Sequence, residues 1–484
     1  MKKTLRWAVA ALFALASPVF ATNLNAGDVI IRHATVVDVE HGRTIADQSV
    51  VLRGGDIMAV GADSAVASRW KARKTVEAGG RFLIPGLWDM HVHFGGGPDM
   101  VEENKALLPL YVAYGVTTIR DCSSDLSDQV LVWRGEIARG DLFGPQLFTS
   151  GAKIEGLHPI WKGTIEVGSR TEVDAAITRL RNDRVDFVKI TDNTLDPQLF
   201  LYAVSRARSF GLRSSGHIPQ ALTIDQAVDA GISSIEHLDY AYKAGAKDEA
   251  AIAADYAAGR LDRAGVDRRV EADFDDAVAM ASYRRLAQKG VFVTPTLNIS
   301  RIQAWLDTDT HANDPFLAYI GPKLRKSYDW RVQRAAKATA TEIAARHSHY
   351  THMARILPLL QRAGVTIMAG TDAGQLNSFD YPGVGLHDEL KLFVDNGLTP
   401  AQALSAATRA GPAWFGRLDR YGAVETGKAA DLVLLDRNPL QDINATRAIY
   451  ALVLRGKVYD RAALDAMLKA ARDQVGTWNA QVSE

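Results

Sequence analysis

The tripeptide His91-Val92-His93 closes an apolar run, Leu83–His93, and is the first place in this sequence where chemistry could reside. In a β-strand, residues i and i+2 face the same side. Two imidazoles at the end of one strand can therefore converge on a divalent cation, for which imidazole is the commonest protein ligand. The pattern alone is weak, because 12 histidines in 484 residues produce roughly 0.3 such pairs by chance. A second pair, His347-Ser348-His349, lies in an Ala- and Arg-rich stretch that reads as helix, where i and i+2 diverge. With His352 it is read as helix surface.

Four further groups repeat the placement of the first pair. Lys189 ends the apolar run Phe187-Val188-Lys189-Ile190, and His217 ends Ser214-Ser215-Gly216-His217. His237 ends Ile235-Glu236-His237, and Asp372 ends Ala369-Gly370-Thr371-Asp372. A charged Lys or Asp buried there without a partner costs several kcal/mol. Each group alone would read as a satisfied core residue. Together, at the ends of short apolar runs, they read as one ligand cluster.

The elements that must carry this cluster alternate in type. Eight strand-like runs, Leu83–His93, Val116–Cys122, Gln146–Ala152, Phe187–Thr191, Arg213–Ile218, Ser234–Leu238, Val291–Leu297 and Thr366–Ala373, are separated by longer helical stretches. Alternation of this kind implies an α/β fold with a parallel sheet, and eight repeats fit a (β/α)8 TIM barrel, whose active sites gather at the C-terminal ends of the strands. An open doubly wound sheet is the alternative, but no Gly-x-Gly-x-x-Gly follows the first strand. The segments 239–290 and 315–359 are long and read as helical excursions that wall the barrel mouth. Short apolar runs bounded by turns lie at both ends, at 28–84 and again at 431–454. The two ends are expected to form one small β-sandwich domain, 22–82 with 413–460, around a barrel of 83–412, with a final helix over 461–484.

Lys2, Lys3 and Arg6, the apolar run Trp7–Ala16 and Val19-Phe20-Ala21 have the form of a secretory signal peptide, residues 1–21, cleaved after Ala21. The run is too short to span about 30 Å of hydrocarbon, so a signal is preferred to an anchor and no membrane partner is expected after cleavage. The product would be periplasmic or secreted. Lys+Arg and Asp+Glu both number 56, which gives none of the basic excess of a nucleic-acid binder. The single cysteine, Cys122, cannot form an internal disulfide.

Pro85-Gly86-Leu87-Trp88-Asp89-Met90-His91-Val92-His93 resembles the opening motif of the amidohydrolase superfamily. Phe187–Ile190, Gly216-His217, Ser234–His237, Gly370–Gly374, Ala406–Thr408 and Gly422–Val433 follow in that family's order. The resemblance covers nearly the whole mature chain and is closest to the branch of imidazolonepropionase-like proteins and metal-dependent prolidases and dipeptidases. It implies two divalent metal ions, with zinc the expected ion. His91, His93 and Asp372 would hold one and His217 and His237 the other, with Lys189 bridging as N6-carboxylysine. A mononuclear site beside an unmodified Lys189 is the alternative. It further implies hydrolysis of an amide or peptide C–N bond of a small molecule, a dipeptide or N-acyl amino acid, by a hydroxide held between the ions. Asp372 would be the catalytic acid and base. A cyclic amide of the imidazolonepropionase type, a lactone or an ester would suit the same centre. His158, after the third strand, and Tyr240, three residues past His237, are the candidate substrate-binding residues. Barrels of this kind often associate through their outer helices, which leaves room for a homo-oligomer.

Overall fold

The computed structural model describes residues 25–483; the expected signal segment lies outside the described residues. The chain opens with five strands, β1 (Asn25–Asp38), β2 (Arg43–Arg53), β3 (Asp56–Ala62), β4 (Trp70–Glu77) and β5 (Phe82–Pro85). β2 and β3 form a hairpin across Gly54-Gly55, with φ of 58° and 92°. These left-handed values are those a two-residue hairpin turn of this hand requires, and glycine adopts them without strain. β1 is long enough to pair with β2 along one edge and with two strands along the other, β4 over Asn25–Arg32 and β5 at Thr35–Val36. The switch falls at His33, a left-handed residue (φ 53°) where the register with β2 slips. These strands belong to one hydrogen-bonded sheet that forks at β1.

The first expected barrel strand is split at Gly86. β5 stays with the opening sheet, and β6 (Leu87–Val92) begins the next layer. A Cβ on Gly86 would stand 2.1 Å from Thr117 Oγ1, so only glycine lets the chain step between the layers here. β6 pairs in parallel with β7 (Val116–Asp121), and β7 with β8 (Gln146–Thr149). Two very short strands absent from the sequence reading follow, β9 (Ile154–Glu155) and β10 (Ile165–Glu166), paired with each other across the loop 156–164.

Asp186 N–H donates to Thr149 O at 2.9 Å and leads from β8 to β11 (Val188–Ile190). β11, β12 (Ser214–Gly216), β13 (Ser234–Glu236) and β14 (Phe292–Thr294) then pair in parallel, one after another. The eighth expected strand, 366–373, makes only isolated parallel bridges, Ile367 with Val293 and Ala373 with Val92. Those bridges, with Asp372 N–H donating to His91 O at 2.7 Å, return the pairing circuit to β6.

Helices fill the intervals. Capping boxes at Thr223/Gln226, Thr339/Glu342 and Thr399/Gln402 start three of them by satisfying amides that the first helical turn leaves free. The excursion 239–290 folds into helices that include Glu249–Ala257, Arg263–Asp273 and Asp276–Gln288, and 315–359 into others that include Asp329–Ala336 and Ala340–Ala354.

The last strands come back to the opening sheet. β15 (Leu432–Leu435) pairs antiparallel with β5, and β16 (Ile449–Leu454) and β17 (Lys457–Asp460) extend the edge. Helix Arg461–Ser483 closes the chain and buries Leu464, Ala471 and Val475. Their spacing of seven and four residues places them on one helical face. No helix of the described residues is long and apolar enough to cross a membrane.

Candidate metal centre

His91 and His93 leave the end of β6 on one side, as the strand period requires. His91 Nδ1 lies 2.8 Å from Glu236 Oε2, and His93 Nδ1 lies 2.5 Å from Ser123 O. A carbonyl oxygen and an ionised carboxylate only accept, so both Nδ1 atoms carry the proton. The two Nε2 atoms are the ring positions left to bind a cation when the imidazoles are neutral. They face the same carboxylate oxygen, Asp372 Oδ1, at 3.3 Å and 2.9 Å. Burial keeps His91 neutral by pushing it well below its ordinary value. Two ring nitrogens and a carboxylate oxygen thus converge on one point, and neutral imidazoles beside an ionised carboxylate are the ligand state that divalent metals require.

The second half of the cluster repeats this logic. His217 follows β12 and His237 follows β13, and their Nε2 atoms stand 3.0 Å apart. His237 Nδ1 lies 2.8 Å from Thr296 Oγ1, and His217 Nδ1 lies 3.7 Å from Asp192 Oδ1. Burial pushes both imidazoles down. The ring centroids of His91 and His237 are 4.9 Å apart, so the two halves adjoin. Lys189, on β11, is 1% exposed and its Nζ has no hydrogen-bond partner. A buried amine with nothing to donate to is the feature that carboxylation would relieve, because a carbamate is an anion with two oxygen donors for a cation. The residues present fit a bound metal.

Backbone strain gathers at the same place. Ser123 (φ 81°), His237 (φ 66°), Thr296 (φ 48°) and Asp372 (φ 72°) are all left-handed without being glycine. Each such residue costs of order 1–3 kcal/mol and persists where the surroundings hold it. At His237 the strain has a visible use. Consecutive strand residues point to opposite faces, yet Glu236 meets His91 while His237 meets His217. The left-handed turn brings both to the centre.

Several residues that the sequence did not single out position the ligands. Arg120, fully buried on β7, donates to Glu236 Oε2 at 2.7 Å and to Met90 O at 2.5 Å. Ser215 and Ser234 donate to Glu236 Oε1 at 2.7 Å and 2.6 Å. Glu236 is thereby held as the anion that orients His91. Asp89, pushed up to about 7 by burial, accepts from Thr371 N and Thr371 Oγ1, next to Asp372. Charged residues inside apolar strands were the available signal for Glu236, Arg120 and Asp89. The pairings of Glu236 with His91 and Arg120, and of Asp89 with Thr371, span more than a hundred residues and were not readable.

A cavity of about 490 Å³ opens over the cluster and is lined by His93, Lys189, His217, His237 and Asp372. Tyr240 also lines it. Its hydroxyl donates to Asp192 at 2.9 Å and its ring stacks on His217 at 5.2 Å. His158 is not brought there. It is exposed, with a left-handed backbone (φ 56°), and the turn it makes leaves Ile160, Trp161 and Lys162 to face the cavity instead. Histidines 347, 349 and 352 lie on helix Ala340–Ala354 and do not line the cavity; the His347 ring stacks on Trp305 at 4.8 Å.

Comparison with known proteins agrees with this geometry. The model of the amidohydrolase family matches residues 82–459. Ochratoxinase from Aspergillus niger is 22% identical, over 88% of this chain and 85% of its own. The crystal structure of a putative prolidase from Bifidobacterium longum superposes with a TM-score of 0.66 at 21% identity, covering 92% of this chain and 99% of that one. Bottromycin amidohydrolase superposes with a TM-score of 0.71 at 21% identity, covering 92% and 90%.

Proposed function

We propose that this chain, which belongs to the amidohydrolase family and is a hydrolase of C–N bonds, is an exported, metal-dependent enzyme that cleaves the amide bond of a dipeptide or N-acyl amino acid. In this reading the pairing circuit is a (β/α)8 barrel with its centre at the C-terminal mouth, and the forked sheet is a separate small domain.

The observation that carries the proposal is the convergence of His91 Nε2 and His93 Nε2 on Asp372 Oδ1, at 3.3 Å and 2.9 Å. His91, His93 and Asp372 would hold one divalent ion and His217 and His237 a second, zinc being the expected metal, with Lys189 carboxylated between them. Bound metals would supply an activated water and polarise the scissile carbonyl. Asp372 takes the proton of the attacking water at its carboxylate and passes it to the leaving nitrogen. Glu236 fixes the tautomer of His91, and Ser123 O fixes that of His93. Tyr240, tied to Asp192, walls the cavity beside His217 and is a candidate contact for the substrate. The names of the prolidase and ochratoxinase relatives support an amide bond to an amino acid as the bond cleaved.

The test is metal content by mass spectrometry on protein purified without chelator or nickel and with bicarbonate, followed by a screen of dipeptides and N-acyl amino acids. Close to two equivalents of a divalent metal with turnover of that class upholds the reading. One equivalent replaces it with a mononuclear site beside an unmodified Lys189. No metal, with no activity restored by adding it, overturns it.

A further inference from the structure

Beyond the ligand cluster, the cavity is lined by three basic residues, Lys153, Lys162 and Arg331. These three differ in what their charge already does. Lys162 is exposed, so water solvates it. Arg331 is committed to the loop that follows Asp372, donating to Leu376 O at 2.7 Å and to Asn377 Oδ1 at 2.7 Å. Lys153 is neither solvated nor committed. It is 8% exposed, and among the described residues its ammonium makes no hydrogen bond and no ion pair. The nearest partner recorded for it is the Trp161 ring, with Nζ 5.4 Å from the centroid.

The position of Lys153 is fixed. Its N–H donates to Ser123 Oγ at 2.9 Å and its carbonyl accepts from Ile165 N at 2.8 Å. The stem thus starts from clamped backbone between Ser123, which also orients His93, and the start of β10. Burial pushes Lys153 down to about 8. It is still largely an ammonium at neutral pH. A mostly desolvated cation without a partner is costly, and the cost is recovered when an anion enters the cavity.

We propose that Lys153 is a specificity-determining residue: its ammonium receives the free carboxylate of the substrate's amino-acid half while the amide bond lies at the metal ligands. The enzyme then selects amides that end in a carboxylate over neutral ones. This rests on the amide-hydrolase reading above and narrows its substrate class. Trp161, beside the ammonium, covers the bound carboxylate from the loop 156–164.

The experiment compares N-acetyl-L-methionine with N-acetyl-L-methionine amide on wild type, Lys153→Met and Lys153→Arg, all with metal content measured. In wild type the acid is the better substrate. Lys153→Met raises KM for the acid by about 30-fold, as expected for loss of a charge-assisted hydrogen bond. It changes KM for the amide less than about threefold and leaves kcat and metal content in place, and Lys153→Arg restores part of the preference. An unchanged preference in Lys153→Met overturns the proposal. So does a loss of metal in that variant, which would assign Lys153 to the support of Lys189. If wild type hydrolyses neither compound, this acyl group is not one it turns over, and the same pair is then titrated by calorimetry. Tighter binding of the acid that Lys153→Met abolishes still upholds the carboxylate site; equal or absent binding of the two removes it.

Discussion

The forked sheet built from the two ends of the chain and the parallel strands between them treat buried polarity in opposite ways. In the sheet, Asp63 is enclosed by its partners: Arg32 donates to both of its oxygens and Ser49 adds a third bond at 2.5 Å. Hydrogen bonding from Arg32 holds its carboxyl down at about 2. Every buried side-chain atom recorded without a partner lies instead between His91 and Asp380, and His91 Nε2 and Lys189 Nζ are among them. Left-handed residues gather at the cluster as well. In the sheet, His33 and Asp47 are exposed, whereas Ser123, His237, Thr296 and Asp372 surround the ligand cluster. One region satisfies its own charges. The other stores strain and leaves donors and acceptors open, which is how a site that must bind something differs from a scaffold.

The sharpest way to break this contrast is Asp372→Asn. It is expected to lower turnover at least about 100-fold, as loss of a general acid–base group does. The variant should keep the fold, since asparagine matches the carboxylate in size and still offers an oxygen at that position. An active, fully metallated variant, or one that unfolds well below wild type, would erase the distinction. Glu236→Gln should weaken metal binding or activity by about 10- to 100-fold, the usual cost of losing the partner that orients a ligand. Retained metal affinity there would show that Glu236 serves only Arg120.

Asp63→Asn belongs to the other side of the comparison and should have the smallest effect on turnover, none at 25 °C. Its effect is on stability, a loss of about 1–3 kcal/mol from a broken buried charge-assisted network, read by denaturant unfolding. Because the folded carboxyl lies at about 2, below its ordinary 3.8, the advantage of wild type is complete above that ordinary value. It disappears as pH falls through the folded value. A stability gap that stays constant across that window would mean that Asp63 contributes shape and not charge.

His91, His93, Lys189, His217, His237 and Asp372 could be singled out because each ends a short apolar run, where a charge needs a reason. His158 and Gly86 show where that reasoning stops. A left-handed residue reverses the facing of the chain after it, and nothing in Gly156-Leu157-His158-Pro159 announces that reversal. The break at Gly86 depends on Thr117 lying 2.1 Å from where a Cβ would be. β9 and β10, two residues each, are too short to leave a periodic pattern.

By itself the sequence determined the alternation of strand and helix, the polar groups stranded at strand ends and the return of β-rich texture at both ends of the chain. All of these are properties of local order, since facing and amphipathicity repeat every two residues in a strand and about every 3.6 in a helix. Only the tertiary structure decided that Glu236 would orient His91, that Arg120 would neutralise Glu236 and that Lys153 would be left without a partner. Those outcomes depend on which side chains meet across more than a hundred residues. Such meetings are set by packing in three dimensions, which leaves no period in the chain.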